Sequence, residues 1–416
     1  MTEPAMPPVA TNAATPGRTI VYSALGREME FYDLDLATAG LERIGSIELD
    51  AVIQYAWPNR ARTILYVATS DSGPMAKVKL PNHFVQALRI EPTGALTPMG
   101  PSVKLGNRPL HLSLDMAERH LLLAYNDPPE VTVHRIEADG AIGAAVDQPP
   151  LDLGITPHQI RVTPFDTIAL VPACGHHDTG EAPGTLGVYS YSDGRLAPLA
   201  TLVPEGTDPA PWRNVCHGAQ GFAPRHVDFH PDRPWMYLCV ETQGEIQLYD
   251  YDRDGIASNP RFTRSTLEGT RRGRSRQLAS AIHVHPNGRF VYVSNRADDA
   301  EEVDGLPVFV GGVNDIAVFA IDPETGEPTL IQHAETQGIF PRTFGIDPTG
   351  RVLVAANQDP GWVRDGDTVR RVLPSLVVFR IGDDGRLDFV RRLDHPDDGR
   401  VCFWAGVERI PARPPE

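Results

Sequence analysis

The chain is poor in cysteine, has no long apolar run, and lacks the short motifs of nucleotide or covalent-serine chemistry. Its four cysteines, Cys174, Cys216, Cys239 and Cys402, are widely spaced and form no CxxC pair. They read as small buried hydrophobes in a reducing compartment, not as a disulfide framework. No stretch approaches the ~20 apolar residues that span a bilayer. No charged start followed by an apolar run stands at the N-terminus, so the expected location is cytoplasmic. A GxSxG elbow, a Walker-type loop and a strand-to-helix dinucleotide fingerprint are all missing, which disfavours a serine hydrolase or a nucleotide enzyme. Basic charge is also scarce. Thirty-eight Lys and Arg face 54 Asp and Glu, a formal net charge of -16. Such a surface repels nucleic acid and anionic membranes, so neither is an expected partner. A small anionic substrate would need a local basic site. Helical periodicity is weak throughout.

What is present is a repeat. RPLHLSLDMAERHLLLAYND begins at Arg108, TPHQIRVTPFDTIALVPACG at Thr156 and APRHVDFHPDRPWMYLCVET at Ala223. ASAIHVHPNGRFVYVSNRAD begins at Ala279 and FPRTFGIDPTGRVLVAANQD at Phe340. Each is an alternating strand, a turn and a second apolar strand; HPNG and DPTG are hairpin chemistry, with Pro presetting φ and Gly supplying φ > 0. A third alternating strand follows, as in IQLYDYDRDG or LVVFRIGDDG, and then a less regular fourth. The 39 prolines and 37 glycines suit so many turns. A small four-stranded sheet cannot bury both faces alone, whereas stacking such sheets around a ring does.

VIQYAWPNRARTILYVATSD, from Val52, is a sixth copy, and the seventh is split between the termini. TIVYSALGREMEFYDLDLATAG has second and third strands without a first, and VCFWAGVERI, from Val401, is a first strand without a second. The expected fold is all-β: a seven-bladed β-propeller of four-stranded antiparallel blades, its ring closed by a C-terminal strand that completes the N-terminal blade. Residues 1–17 read as a flexible tail and 18–411 as one propeller domain.

Equivalent positions in the copies must form rings around the channel. First-strand starts give Leu110, His158, Arg225, Ser280 and Arg342; second-strand ends give Ser70, Asn126, Ala173, Glu241, Arg296 and Asn357. The neighbours stay apolar while these positions carry charge, and desolvated charge is costly unless paired. A cluster of them at a channel mouth is a candidate site. A structural Arg–Glu network closing the channel is the alternative reading.

The units PRHVDFHPDRPWMYLCVE, SAIHVHPNGRFVYVSNR and PRTFGIDPTGRVLVAANQ resemble the seven-bladed lactonase family. That family holds the propeller-type 6-phosphogluconolactonases and the 3-carboxy-cis,cis-muconate lactonising enzymes. The resemblance covers roughly residues 19–410. It implies catalytic roles for His158 of TPHQI, Arg225 of the PRH motif, Glu241 of VET and Arg296 of SNR. His226, Arg342, Asn357 and His111 are the candidate substrate contacts. The chain departs from the family pattern by insertions near 175–185, 205–221 and 298–312, which are long for loops between strands and are expected to shape the mouth.

A lactone carbonyl needs an activated water and a group to hold the oxyanion. His158 can act as acid or base. Arg225 and Arg296 can hold the oxyanion or clamp a carboxylate or phosphate, and Glu241 can orient an Arg or act as a second acid/base group. Cyclisation of a muconate uses the same parts. The expectation is therefore a lactonase acting on an anionic lactone, with a lactone-forming cycloisomerase or a non-catalytic, partner-binding propeller as alternatives. No cofactor is expected. His226 and His230 share a strand face, as do His283 and His285, but no third partner stands at metal spacing, so no metal is expected. TRRGRSRQ (270–277) is a candidate anion-attracting rim, and Trp362 of GWVRDGDTVRR a candidate lid residue.

Overall fold

The computed structural model describes residues 17–73, 79–175, 183–204, 222–270 and 276–411. The expected tail lies outside these residues except for Gly17, which already belongs to a strand. So do most of the insertions near 175–185 and 205–221 and the centre of the basic segment 270–277.

Seven antiparallel blades form the propeller. Blade 5 shows the plan, with strands Pro224–Phe229, Trp235–Val240, Glu245–Asp250 and Phe262–Ser265 in spatial order from axis to rim. Second strands are pressed between neighbouring blades and read as continuous apolar runs, because both their faces are covered. Ile64–Ser70 and Phe290–Arg296 are buried at every position. Fourth strands face water, and Gly40–Glu48 is largely exposed. Between blades lie separate apolar clusters, such as Trp235, Leu248, Val293 and Phe319 between blades 5 and 6.

A recurring polar fastener joins the blades. The second-strand tyrosine of one blade donates its hydroxyl to a glycine carbonyl in the outer turn of the next. Tyr22 reaches Gly94 at 3.0 Å, Tyr66 reaches Gly140 at 2.9 Å, Tyr237 reaches Gly326 at 2.8 Å and Tyr292 reaches Gly385 at 2.9 Å. Gly140 shows why glycine is needed. Its φ is +88°, and a Cβ there would stand 2.1 Å from Ile64 Cδ1 of the preceding blade.

The ring closes as expected. Cys402–Pro411 pairs antiparallel with Gly17–Leu25 and becomes the innermost strand of the blade that continues with Glu28–Asp35 and Gly40–Glu48. A buried polar cluster secures this seam. His395, just after the last strand of blade 7, places Nδ1 3.2 Å from Glu30 Oε2 and Nε2 3.3 Å from Ser23 Oγ. Ser23 Oγ is also 3.4 Å from Cys402 Sγ, and Tyr32 donates to Glu30 at 2.7 Å. Ser23, Glu30, His395 and Cys402 are all buried.

The insertion at 298–312 is not an open loop. Ala300–Val303 and Leu306–Phe309 form a hairpin turned by Asp304-Gly305, both with positive φ. A second hairpin, Gly361–Asp365 and Thr368–Val372, rises from the equivalent place in blade 7. The two join through a parallel pairing at Val308 and Trp362 into an eighth small sheet. Trp362 is stacked by Arg371 at 5.5 Å.

Burial alone would lower the His395 pKa, but the Cys402 sulfur and the Glu30 carboxylate outweigh it and raise it from 6.5 to about 10. Burial would raise Glu30, yet hydrogen bonds from His395 and Tyr32 and the charge of Arg43 hold it at about 2. The pair therefore contributes fully between the ordinary values of 4.5 and 6.5; it weakens as pH rises towards 10 or falls towards 2. Glu30→Gln should cost about 3–5 kcal/mol, because His395 is left buried without its carboxylate. His395→Ala should cost less, because Arg43 at 3.0 Å and Tyr32 at 2.7 Å still meet Glu30. Urea denaturation at pH 6 and pH 9 checks this: the wild type should lose stability at the higher pH, and His395→Ala should lose less.

Candidate active site

The first strands of the blades carry the site, and an irregularity in them explains how. In six blades the pairing of first and second strands skips a residue, at Phe403, Gln54, Leu110, Arg225, Ser280 and Arg342. A bulge re-aims side chains that strict alternation would send to opposite faces. It lets adjacent residues such as Arg225 and His226 both meet the channel cluster. The partner position at the end of the second strand is Cys174, Glu241, Arg296 and Gln358 in blades 4 to 7, reading the register outward from the hairpin turns.

This shifts two of the expected ring positions by one residue. Cys174 stands where Ala173 was expected, and Gln358 where Asn357 was expected. Asn357 instead donates its amide to Thr336 O at 2.8 Å and Ser375 Oγ at 3.1 Å. Asn295 does the same in blade 6, to Thr266 O and Asp315 Oδ1, both at 2.8 Å. The two asparagines are thus equivalent fasteners, each tying its blade to the segment that leads in from the preceding blade.

The structure brings His158, Arg225, Glu241, Arg296 and His226 together. Glu241 lies between two guanidinium groups, with Oε2 3.6 Å from Arg225 Nε and Oε1 in an ion pair with Arg296 Nη2. Cys174 Sγ is 3.6 Å from the same carboxylate. Arg225 Nη1 stands 3.4 Å from both ring nitrogens of His226, a position over the ring. His226 Nε2 in turn is 3.1 Å from His158 Nδ1. Burial and the nearby charge of Arg225 push both imidazoles well below 6.5, so each is neutral at pH 7.

Arg342 joins this group from blade 7. It is 9% exposed, and its guanidinium lies 4.2 Å over the Phe403 ring. Among the described residues no carboxylate stands within ion-pair distance of it. Burial first, then the charges of Arg225, Arg296 and Arg108, lower its pKa. Arg108, which sequence reasoning missed, is also buried; it donates Nε to Gln54 at 2.9 Å and leaves Nη2 without a partner. Burial lowers Arg108 and Arg296 to about 10, so both remain cationic at pH 7. Among the described residues, Glu241 and Asp359 stand against these four cations, and burial above all lifts Asp359 to about 6. The described part of the site carries excess positive charge inside a strongly acidic protein.

His111 lies one layer deeper. It is fully buried, 4.4 Å from the Tyr55 ring and 5.7 Å from His226, with Nε2 3.3 Å from Gln159. His230 and His285 do not join the cluster around His158 and His226; both stand at the far end of the channel. Each caps its own hairpin turn and bonds the next blade, at Gly288 O (2.9 Å) and Gly350 O (2.8 Å). Asp347 holds the turn in blade 7 by the same backbone bonds. Among the described residues no three His, Cys, Asp or Glu side chains are grouped as a metal centre would require. Of the basic segment, Arg276 is described, and it forms a two-point ion pair with Asp298 at 2.9 Å.

The model of the family described as "Lactonase, 7-bladed beta-propeller" matches residues 21–364. The chain belongs to this lactonase family. It is 28% identical over 332 residues to a 6-phosphogluconolactonase of Bacillus subtilis, covering 78% of this chain and 83% of that protein. A 6-phosphogluconolactonase of Serratia proteamaculans is 24% identical over 373 residues, covering 88% and 96%. Among solved structures, the periplasmic gluconolactonase of Pseudomonas aeruginosa superimposes with a TM-score of 0.67 at 19% identity, covering 91% of this chain and 96% of that one. A Lactobacillus plantarum protein gives 0.68 at 21% identity, covering 95% and 99%. These two likenesses show the same fold.

If the guanidinium excess serves a ligand, the empty site must be electrostatically strained. Arg342→Met should raise unfolding stability by about 1–4 kcal/mol in phosphate-free buffer, since it removes a buried, unpaired charge. Glu241→Gln should lower it by about 3–5 kcal/mol. Chemical denaturation of both variants checks this, and a loss of stability in Arg342→Met would place that residue in the packing instead.

Proposed function

We propose that this lactonase-family enzyme hydrolyses a sugar lactone bearing a negatively charged group, with 6-phosphogluconolactone as the leading case. The observation that carries the reading is the surplus of buried guanidinium groups around a neutral histidine. The relatives named 6-phosphogluconolactonase support the substrate class. Arg342, unpaired, holds the phosphate or carboxylate of the substrate, and Arg108 adds to the field there. Neutral His158 takes a proton from water as the oxygen attacks the lactone carbonyl. His226 keeps that imidazole in place through the 3.1 Å contact. Arg225 faces the developing oxyanion. The tetrahedral intermediate then breaks its ring C–O bond, and the leaving oxygen takes the proton from His158. The product is an open hydroxy acid. Glu241 aligns the two guanidinium groups and neutralises one of them; clamped as it is, it is a positioning residue. Positive charge comes from guanidinium groups, so this reading needs no metal or other cofactor.

The same parts could close a lactone from an unsaturated diacid, and the test separates the two. The cytoplasm is the proposed location; the free, buried Cys174, Cys239 and Cys402 support it. No helix among the described residues is long and apolar enough to cross a membrane.

A pH-stat assay of chelator-treated enzyme on phosphorylated and plain sugar lactones, beside ultraviolet monitoring of cis,cis-muconates, tests the proposal. Acid release above the spontaneous rate, highest with the phosphorylated lactone, is the expected result; loss of muconate absorbance alone would move the enzyme to the cycloisomerases. His158→Asn should lower kcat/KM by about 10²–10⁴-fold and Arg225→Ala by about 10²–10³-fold. Full activity in either variant would remove that residue from the chemistry.

A further inference from the structure

The channel has a second mouth, at the far ends of the first strands. A layer of rings stands between the two ends. Tyr55 lies 4.4 Å from His111 and 6.3 Å from both His226 and Trp404, centroid to centroid. Beyond this layer opens a cavity of about 470 Å³ lined by Trp57, Arg161, Asp228, His283 and Trp404 among others. That is within the roughly 300–1,000 Å³ of small-molecule sites. Arg161, Asp228 and His283 hold equivalent positions in blades 4, 5 and 6, three residues past His158, Arg225 and Ser280.

We propose that this second mouth is a binding site for a neutral, hydroxylated ring such as a hexose. Three features carry it. The first is loose polar pairing. Arg161 Nη2 is 3.5 Å from Asp228 Oδ1, Arg161 Nη1 is 3.4 Å from Val227 O, and His283 Nδ1 is 3.9 Å from Asp228 Oδ2. A network built only to plug the channel would close to the usual 2.7–2.9 Å of charge-assisted bonds. The seam pair of His395 and Glu30 comes closer, at 3.2 Å. These groups therefore keep donor and acceptor capacity for a guest.

The second feature is preorganisation beside apolar faces. The Arg161 guanidinium is held by the rings of Trp57 at 4.7 Å and Phe229 at 5.4 Å. Asp228 is fixed by the backbone N–H of Val284 at 2.8 Å. His283 packs edge-on to Phe344 at 4.9 Å. The third feature is the absence of side chains from two blades. At the same level, blades 7 and 1 carry Gly345 and Gly406; a Cβ on Gly345 would meet Val407 N at 2.9 Å and one on Gly406 the Trp404 ring at 2.4 Å, so glycine here lets backbone and ring pack closely and adds nothing to the cavity. Burial lowers the His283 pKa, leaving it uncharged. The four arginines of the lining, Arg60, Arg62, Arg161 and Arg409, are matched by Asp115, Glu118, Asp228 and Glu408. The mouth is thus neutral, in contrast to the cationic end that holds the proposed active site. Aromatic walls with one fixed donor and one fixed acceptor suit the apolar face and vicinal hydroxyls of a sugar ring.

The probe is methyl α-D-glucopyranoside, with 6-phosphogluconate as the charged comparison, followed by tryptophan fluorescence and saturation-transfer NMR on the full chain. Saturable binding of the neutral glycoside is expected, weakened at least tenfold by Asp228→Asn and by Trp57→Leu and unchanged by Arg342→Met. Asp228→Asn is isosteric and can still accept from Val284, so it should fold and keep full lactonase turnover. No saturable signal to the limit of solubility would overturn the proposal. So would binding that survives Asp228→Asn or is lost in Arg342→Met. Lactonase assays on the same samples keep this result separate from the active-site reading.

Discussion

A four-stranded blade has two apolar faces and cannot bury either by itself. Everything else in the molecule follows from the need to stack such blades until the last meets the first. The second strands become buried along nearly their whole length because they lie between two neighbours. The tyrosine-to-glycine bonds repeat at blade interfaces, each donated from an inner strand to the outer turn of the next blade. Closure is the one interface that cannot be made locally. It joins residues nearly four hundred apart in sequence, with Ser23 facing His395 and Cys402. Loop-closure entropy opposes that contact. The ion pair between Glu30 and His395 therefore lies where an added interaction constrains the ring most.

The ring also decides where chemistry can occur. It brings one position from every blade to the axis, so residues some fifty to seventy apart in the chain become neighbours. The bulges near the starts of the first strands then bring a second residue per blade within reach. What assembles is a set of arginines around one carboxylate and two neutral imidazoles. Taken alone it is unfavourable, since like charges are held close and away from water. An anionic ligand would relieve this, and binding energy of that kind can be directed to the reacting carbonyl.

Much of this was legible in the sequence. The repeat, the split seventh blade and the channel positions of His158, Arg225, Glu241, Arg296 and Arg342 follow from strand periodicity and turn chemistry. Other features were not legible, for physical reasons. A bulge is an irregularity of backbone pairing with no residue type of its own. The second-strand partner stands sixteen residues on in blades 4 to 7, at Cys174, Glu241, Arg296 and Gln358, so the fifteen-residue spacing of Ala173 and Asn357 falls one residue short. Arg108 precedes the expected ring position and joins the site through its length. Glu30 and His395 belong to opposite ends of the chain and look like ordinary surface residues until the ring is closed. His230 and His285 share a strand direction with channel residues, yet their turns claim them. The hairpin over 300–309 did carry a signal, since Asp304-Gly305 is strong hairpin chemistry within what read as an insertion.

The central claim is that the buried arginines form a site for a small molecule bearing a negatively charged group, a phosphate in the leading case. Calorimetric titration of the enzyme with 6-phosphogluconate and with gluconate tests it most directly. The two acids differ only in the phosphate that Arg342 is held to bind. The account predicts that 6-phosphogluconate binds at least tenfold more tightly, about 1.4 kcal/mol, and that Arg342→Met erases the difference. Equal affinities for the two acids would contradict it.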